Sequence, residues 1–282
     1  MDKQLATDRP GLNRRMGTAL VCGLLLVLVL AIFTSGSLIS DAAVGPDFSR
    51  KGLPPSLAYP FGTDWLGRNM LLRTLKGLSL SIRIGAIASA VSAVLATIIG
   101  ITAAMGSKWM DAAVCWLIDL VMGVPHLVLL ILIAFACGRG MTGLLIGIAA
   151  THWTGLARLV RSEVLQLRSQ PYIMVSRRLG HSPLWILRHH LLPHVAPQFI
   201  VGLILLFPHA ILHESALSFL GYGLPPEMPA IGIILSESMR YLTGGMWWLA
   251  FFPGLTLVAV VILFDKLGEN LRLLFDPYSA HE

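Results

Sequence analysis

Charge is what this 282-residue sequence has least of. Asp, Glu, Lys and Arg make up 13% of it, about half the roughly 25% of an ordinary globular chain. A soluble domain of this size needs polar residues to cover its outside, so that class is excluded. Hydrophobic residues are 55% of the chain and mean hydropathy is +0.74, which excludes disorder. Cysteine is scarce as well. Cys22, Cys115 and Cys137 all lie in apolar stretches, with the spacing of neither a disulfide framework nor a zinc site. A phosphate-binding loop is missing too. None of the five lysines (Lys3, Lys51, Lys76, Lys108, Lys266) follows a glycine, and Gly-Lys-Ser/Thr is what cradles nucleotide phosphates. No segment between apolar runs exceeds about 50 residues, too short for an independent catalytic domain of roughly 100–150 residues.

What is present is a set of long apolar runs. A helix crosses the hydrocarbon core with roughly 20 apolar residues. Six stretches qualify: 16–33, 84–105, 112–138, 140–157, 197–220 and 246–264. The expected class is all-α, a polytopic membrane protein with six transmembrane helices. Arg14 and Arg15 before the first run resemble a signal peptide, but Phe33-Thr34-Ser35-Gly36-Ser37 is a poor cleavage site and five spans follow, so the run reads as a retained anchor. With the N-terminus inside, segments 1–15, 106–111, 158–196 and 265–282 hold 4, 1, 6 and 2 Lys/Arg, thirteen of the 21. This bias places both termini in the cytoplasm. It also accounts for the net charge of +6 without invoking nucleic acid. The expected organisation is a cytoplasmic tail 1–15, a first span 16–35, an extracytoplasmic loop 36–80, a core 81–270 with five more spans and a cytoplasmic loop 158–196, and a tail 271–282.

The loop 158–196 carries the clearest local signals. Pro171 opens a short helical pattern that ends at Gly180, a left-handed cap. Ser182 then caps a second helix with Pro183 at its first position. Leu184, Leu187 and Leu191 share a face of that helix, which is expected to stop at Pro193. The fifth run is the unusual one. Pro208-His209-Ala210-Ile211-Leu212-His213-Glu214 puts three ionisable side chains into hydrocarbon, at several kcal/mol each unless they face a wet cavity or a partner. His209 and His213 are four apart, so both lie on one helical face at a metal-ligand spacing. A transient metal contact by this pair is expected alongside the alternative of histidines bonded to neighbouring helices. His126, beside Pro125, and His152 could add ligands to that pair, and they are further candidates for a translocation path with His209, His213 and Glu214.

These residues resemble a known family. Permeases of ABC importers carry a cytoplasmic pattern of EAA, three residues, Gly, nine residues and I-x-LP. Here Met174-Val175-Ser176 stands at the EAA position, Gly180 follows at the right spacing, and His190 precedes Leu192-Pro193. Gly, Leu and Pro match; the Glu, both Ala and the Ile do not. Residues Gly62-Thr63-Asp64-Trp65-Leu66-Gly67-Arg68-Asn69 resemble GTDxLGRD of the dipeptide, oligopeptide and nickel permeases, with Asn69 for Asp. Leu217-Ser218-Phe219-Leu220-Gly221-Tyr222-Gly223 with Pro225-Pro226 resembles LSFLGLGxxPP. Phe264-Asp265-Lys266-Leu267-Gly268-Glu269-Asn270-Leu271-Arg272 with Asp276-Pro277 resembles FNLLGDGLRxxLDP. The motifs run in order over about residues 12–278, and the chain is similar to the "C" permease of the pair.

The resemblance implies a type I importer permease in a bacterial cytoplasmic (inner) membrane, working by alternating access. It implies four kinds of partner: a homologous second permease subunit, two ATPase subunits, an extracytoplasmic solute-binding protein and membrane lipid. It implies no catalysis by this chain and no bound cofactor, ATP and Mg being used by the ATPases. The loop residues Met174, Val175, Ser176, Gly180, His190, Leu192 and Pro193 would dock on an ATPase. The expected cargo is nickel or a metal chelate, with a di- or oligopeptide as the alternative. An intramembrane metalloprotease is the rival class, but HExxH is not met, because Glu214 follows the second histidine.

Overall fold

A computed structural model describes residues 14–275. Among them no strand is found, only one isolated bridge between Thr63 and Asn69. The helices are α1 (Arg14–Leu38), α2 (Met70–Met105), α3 (Lys108–Gly123), α4 (His126–Ala136), α5 (Met141–Arg168), α6 (Pro171–Arg178), α7 (Pro183–Ile186), α8 (Leu192–Phe219), α9 (Ile231–Met239) and α10 (Trp248–Phe275). Five of these segments are long and apolar enough to cross a membrane, and the bent pair α3–α4 makes a sixth if it counts as one span.

The packing decides that count. Ile84 and Ala88 of α2 share a core with Leu144 and Ile148 of α5. Further along both helices, a side chain at Gly100 would lie 2.7 Å from Ala157 O, and Arg168 donates to Ala104 O. The two helices therefore run parallel. Parallel neighbours require the intervening chain to return along their full length, so α3–α4 is a crossing. Its 99° bend falls at Val124-Pro125, where the proline withholds a donor and disfavours helical backbone at the residue before it. The absence of a side chain at Gly100 is what lets the two backbones touch, as small residues do in membrane bundles.

Three boundaries differ from the sequence expectation. Helix α2 begins at Met70, not near residue 84, and its 36 residues span about 54 Å at 1.5 Å each. The extra turns carry Arg73, Lys76 and Arg83, which mask the helix from a hydropathy reading. Asn69 caps it, its side-chain oxygen accepting from Leu71 N at 3.0 Å, so Asn serves where the family pattern has Asp. The loop expected over 36–80 is thereby shortened. The third run, expected as one span over 112–138, is two helices. Finally, the chain does not stop at Pro193. A π-turn over Leu187–Leu191 carries α7 into α8, and Pro193 falls in the first turn of α8, where its missing N–H is tolerated.

Apolar burial ties the two ends of the bundle to different elements. At one end Ala104, Val160 and Val164 pack with Ile173, Ile186, Leu191 and Val195, so the short loop helices are rooted in α2 and α5. At the other, Met70, Leu78, Ile211, Ile231 and Leu249 join α2, α8, α9 and α10. Lys76 pairs with Asp41 there, fixing the segment after α1. The tails lie largely outside the described residues, including Asp276-Pro277.

This arrangement predicts sidedness. Reporters inserted within residues 51–60 and within 241–246 should report the same side of the membrane. A reporter within 178–182 should report the opposite side. A reading of 178–182 on the same side as 51–60, with 241–246 opposite to both, would contradict the crossing by α3–α4.

Candidate functional site

The first motif is a folded polar joint. Gly62 (φ 69°) and Gly67 (φ 76°) hold left-handed backbone on either side of Asp64, a conformation glycine adopts freely. A side chain at Gly67 would also lie 1.7 Å from Asp47 O. The buried Asp64 carboxylate accepts from Leu66 N and Arg68 N, both at 2.9 Å. It also pairs with Arg68 Nε at 2.5 Å and with an Arg73 Nη at 3.4 Å. Arg73 in turn reaches Glu237 Oε2 of α9 at 2.5 Å. Thr63 donates to Arg50 O at 2.5 Å and accepts from Leu53 N at 2.8 Å. The loop, α2 and α9 thus become one body at this end.

The opposite end carries the loop of α6 and α7. The helix α6 ends in paired reverse bonds, His181 N to Ser176 O at 3.3 Å and Gly180 N to Arg177 O at 3.0 Å, with Gly180 at φ 86°. This is the Schellman closure that favours glycine. Ser182 accepts from Trp185 N at 3.2 Å and Pro183 follows at the first helical position. Ser176 lies 3.3 Å from His190 Nε2, which joins the two short helices. Met174, Val175, Leu179 and Leu184 are exposed, as are Gly180, Leu192 and Pro193. Of the leucines expected to share a face, Leu191 is buried while Leu184 is 72% exposed, and Ile186 takes the inward position. The result is an exposed hairpin tip on which Leu179 and Leu184 stand beside Arg177 and Arg178, with open space around Gly180.

Between the two ends lies a cavity of about 650 Å³. The α3–α4 bend forms one wall, and α5 and α8 form the others. His126, His152, His209 and His213 all line it, with Thr151 and Thr154. His126, His152 and His213 converge: their ring centroids are 4.5–5.0 Å apart, and one ring nitrogen of each lies within 4.8 Å of the others. The expected pair is therefore not the group that forms. His209 shares the cavity with His213 but stands outside this cluster. Glu214 does not line the cavity. It is fully buried, accepting from Ser218 at 3.0 Å and Ser215 at 3.2 Å and bonding to Ser81 of α2. Ser218 also accepts from Leu224 N at 3.2 Å, so the LSFLGYG segment folds back on α8 through the same serine.

Comparison with known proteins now bears on this architecture. The family model for the binding-protein-dependent transport system inner membrane component matches residues 96–277. The chain belongs to this family. A dipeptide transport system permease protein of Bacillus subtilis is 32% identical over 255 residues, 90% of this chain and 79% of the relative. That of Alkalihalophilus pseudofirmus is 32% identical over 262 residues, covering 93% and 84%. Among solved structures, an inward-facing MetNI methionine ABC transporter chain superposes with a TM-score of 0.56 at 18% identity, covering 73% of this chain and 98% of that one. That likeness concerns the fold. The protein is thus an ABC importer permease with a multi-pass, all-α, type I fold.

Several structural residues of this permease were not foreseen from sequence. Arg73 and Glu237 are far apart in the chain and neither sits in a motif, so only the fold pairs them. Asp111 and Arg161 form a two-pronged pair at 2.5 and 2.6 Å, and Arg158 reaches Asp119 at 2.6 Å. Both pairs fasten α3 to α5 beside the cavity. Asp119 is the single charged residue of the third apolar run.

The Asp64 joint gives a stability prediction. Removing one member of a buried ion pair strands its partner, at about 3–5 kcal/mol. Asp64→Ala should lower the unfolding temperature of the detergent-purified protein and its yield in membranes. An unfolding temperature equal to that of the unaltered protein would show that the joint carries little.

Proposed function

We propose that this chain is one of two permease subunits of an ABC importer for di- or oligopeptides, with both of its termini in the cytoplasm. A solute-binding protein delivers cargo to the end that bears the Asp64 joint. Two separate ATPase subunits close on ATP at the other end, one of them on the hairpin of α6 and α7. The cavity beside α8 is the part of the route that this chain contributes. The bilayer leaves no room for unpaired polar groups, so a cavity lined by histidines and threonines at mid-span has the character of a solute path.

The observation that carries this reading is the continuity of α7, the π-turn and α8. It links the exposed hairpin tip to His209 and His213 in one helical rod, Pro183–Phe219. A force on the tip is delivered along that rod to the cavity wall. The π-turn is a natural place for the rod to flex, as such turns often are at functional sites. Substrate chemistry follows the two relatives reported above, which are named as dipeptide permeases; neither is named for the nickel cargo expected from sequence. ATP hydrolysis is assigned to the partners, because the chain lacks a phosphate-binding loop.

The docking role is tested at the tip. Leu179→Asp with Leu184→Asp should leave the permease in the membrane while the ATPases no longer co-purify, and dipeptide uptake should fall at least tenfold. Undiminished co-purification and uptake would remove the docking assignment.

A further inference from the structure

Three histidines from three helices meet at one wall of the cavity, and their hydrogen bonds prepare them as metal ligands. His152 Nδ1 lies 3.0 Å from Ile148 O, and His213 Nδ1 lies 2.7 Å from His209 O. A carbonyl can only accept, so each Nδ1 carries the proton and each Nε2 keeps its lone pair. Tying one ring nitrogen to a backbone carbonyl is how proteins orient a metal-binding histidine and set its tautomer. His152 Nε2 sits 3.3 Å from His213 Nδ1, a poor rival for a proton already held at 2.7 Å. His126 Nε2 is buried and has no hydrogen-bond partner among the described residues. A structural role for His126 would have left that nitrogen satisfied.

We propose that His126, His152 and His213 form a binding site for a divalent transition-metal ion of the nickel, copper and zinc class. Imidazole suits these metals, whereas magnesium and calcium require oxygen. Nitrogens 2.0–2.1 Å from a tetrahedral ion stand about 3.4 Å apart, so the present spread of up to 4.8 Å closes by modest ring rotations. Among the described residues, no Asp, Glu, Lys or Arg lines the cavity; the ion's charge has to be balanced by what enters with it. Three protein ligands leave coordination positions open toward a cavity of about 650 Å³, large enough for a small organic ligand. A peptide that chelates a metal through its amine and amide nitrogens fills those positions and is held by its metal. This assignment of the cargo rests on the cavity being the peptide route proposed above; the metal site itself does not.

The test uses the whole importer, purified through a tag without histidine and placed in lipid nanodiscs, with Co²⁺ as the probe. The intact complex should give visible d–d bands that saturate at one ion per copy of this chain and vanish on adding Zn²⁺. His126→Ala removes a ring whose Nε2 makes no bond, so the complex should assemble normally while Co²⁺ affinity falls at least about tenfold. His152→Gln with His213→Gln should abolish the bands. Absence of bands in the intact complex at millimolar Co²⁺, or bands that survive all three substitutions, would overturn the site. Uptake of a metal-free dipeptide by vesicles, run in parallel, reports on the peptide reading separately. A site that binds Co²⁺ in a complex that imports no peptide would sink that reading and leave the metal site standing.

Discussion

Every polar group placed among these helices needs a partner inside the protein, because lipid offers none. Charged residues are 13% of the chain, and those buried in the bundle, Asp64, Arg73 and Glu214, each become a joint. Asp64, Arg73 and Glu237 fasten the loop after α1 to α2 and α9. Asp111 and Arg161 fasten α3 to α5. Glu214 is spent on serines of α2 and α8, and it locks those helices together instead of facing the cavity. The long apolar faces of α1 and α10 point outward, as faces in contact with lipid do.

The same rule explains why a cavity survives at mid-span. Helices α2 and α5 touch closely along their length, Gly100 against Ala157, so little space remains between them. The proline-bent pair α3–α4 cannot follow α5 with equal closeness. Its bend opens a gap that α8 does not fill, and the gap is lined by imidazoles that tolerate both water and hydrocarbon. The two ends of the bundle differ in stiffness for chemical reasons. One is cross-braced by buried ion pairs. The other presents a short exposed hairpin held by packing against α2 and α5 and by the contacts of His190 with Ser176 and Tyr172. A transporter that is loaded at one end and pulled at the other needs that asymmetry.

Much of this was legible in the sequence because it depends on local chemistry. The apolar runs mark the spans, Gly180 and Ser182 mark the hairpin, and Gly62 and Gly67 mark a tight polar turn. Motif order alone pointed to the permease family. What was hidden depends on partners distant in the chain. The true start of α2 was obscured by Arg73, Lys76 and Arg83; the first two pair with Asp64, Glu237 and Asp41, and the third lies over the Phe33 ring. The continuation through Pro193 was obscured because a π-turn has no composition signature. The His209–His213 pairing followed helical spacing correctly, yet spacing on one helix cannot reveal that His126 and His152 arrive from two others and displace His209 from the cluster. Glu214 read as a path residue because its three serine partners, at 81, 215 and 218, lie on two helices.

Alternating exposure of the cavity can be measured directly at Gly155, which lines it and has open space for a side chain. In a complex whose Cys22, Cys115 and Cys137 are replaced by alanine, Gly155→Cys would be treated with a membrane-impermeant thiol reagent from each side. Without nucleotide the cysteine should be labelled from the cytoplasmic side, and after trapping with ATP and vanadate from the outer side. Equal labelling in both states, or none from either side, would contradict the cavity as the route of transport.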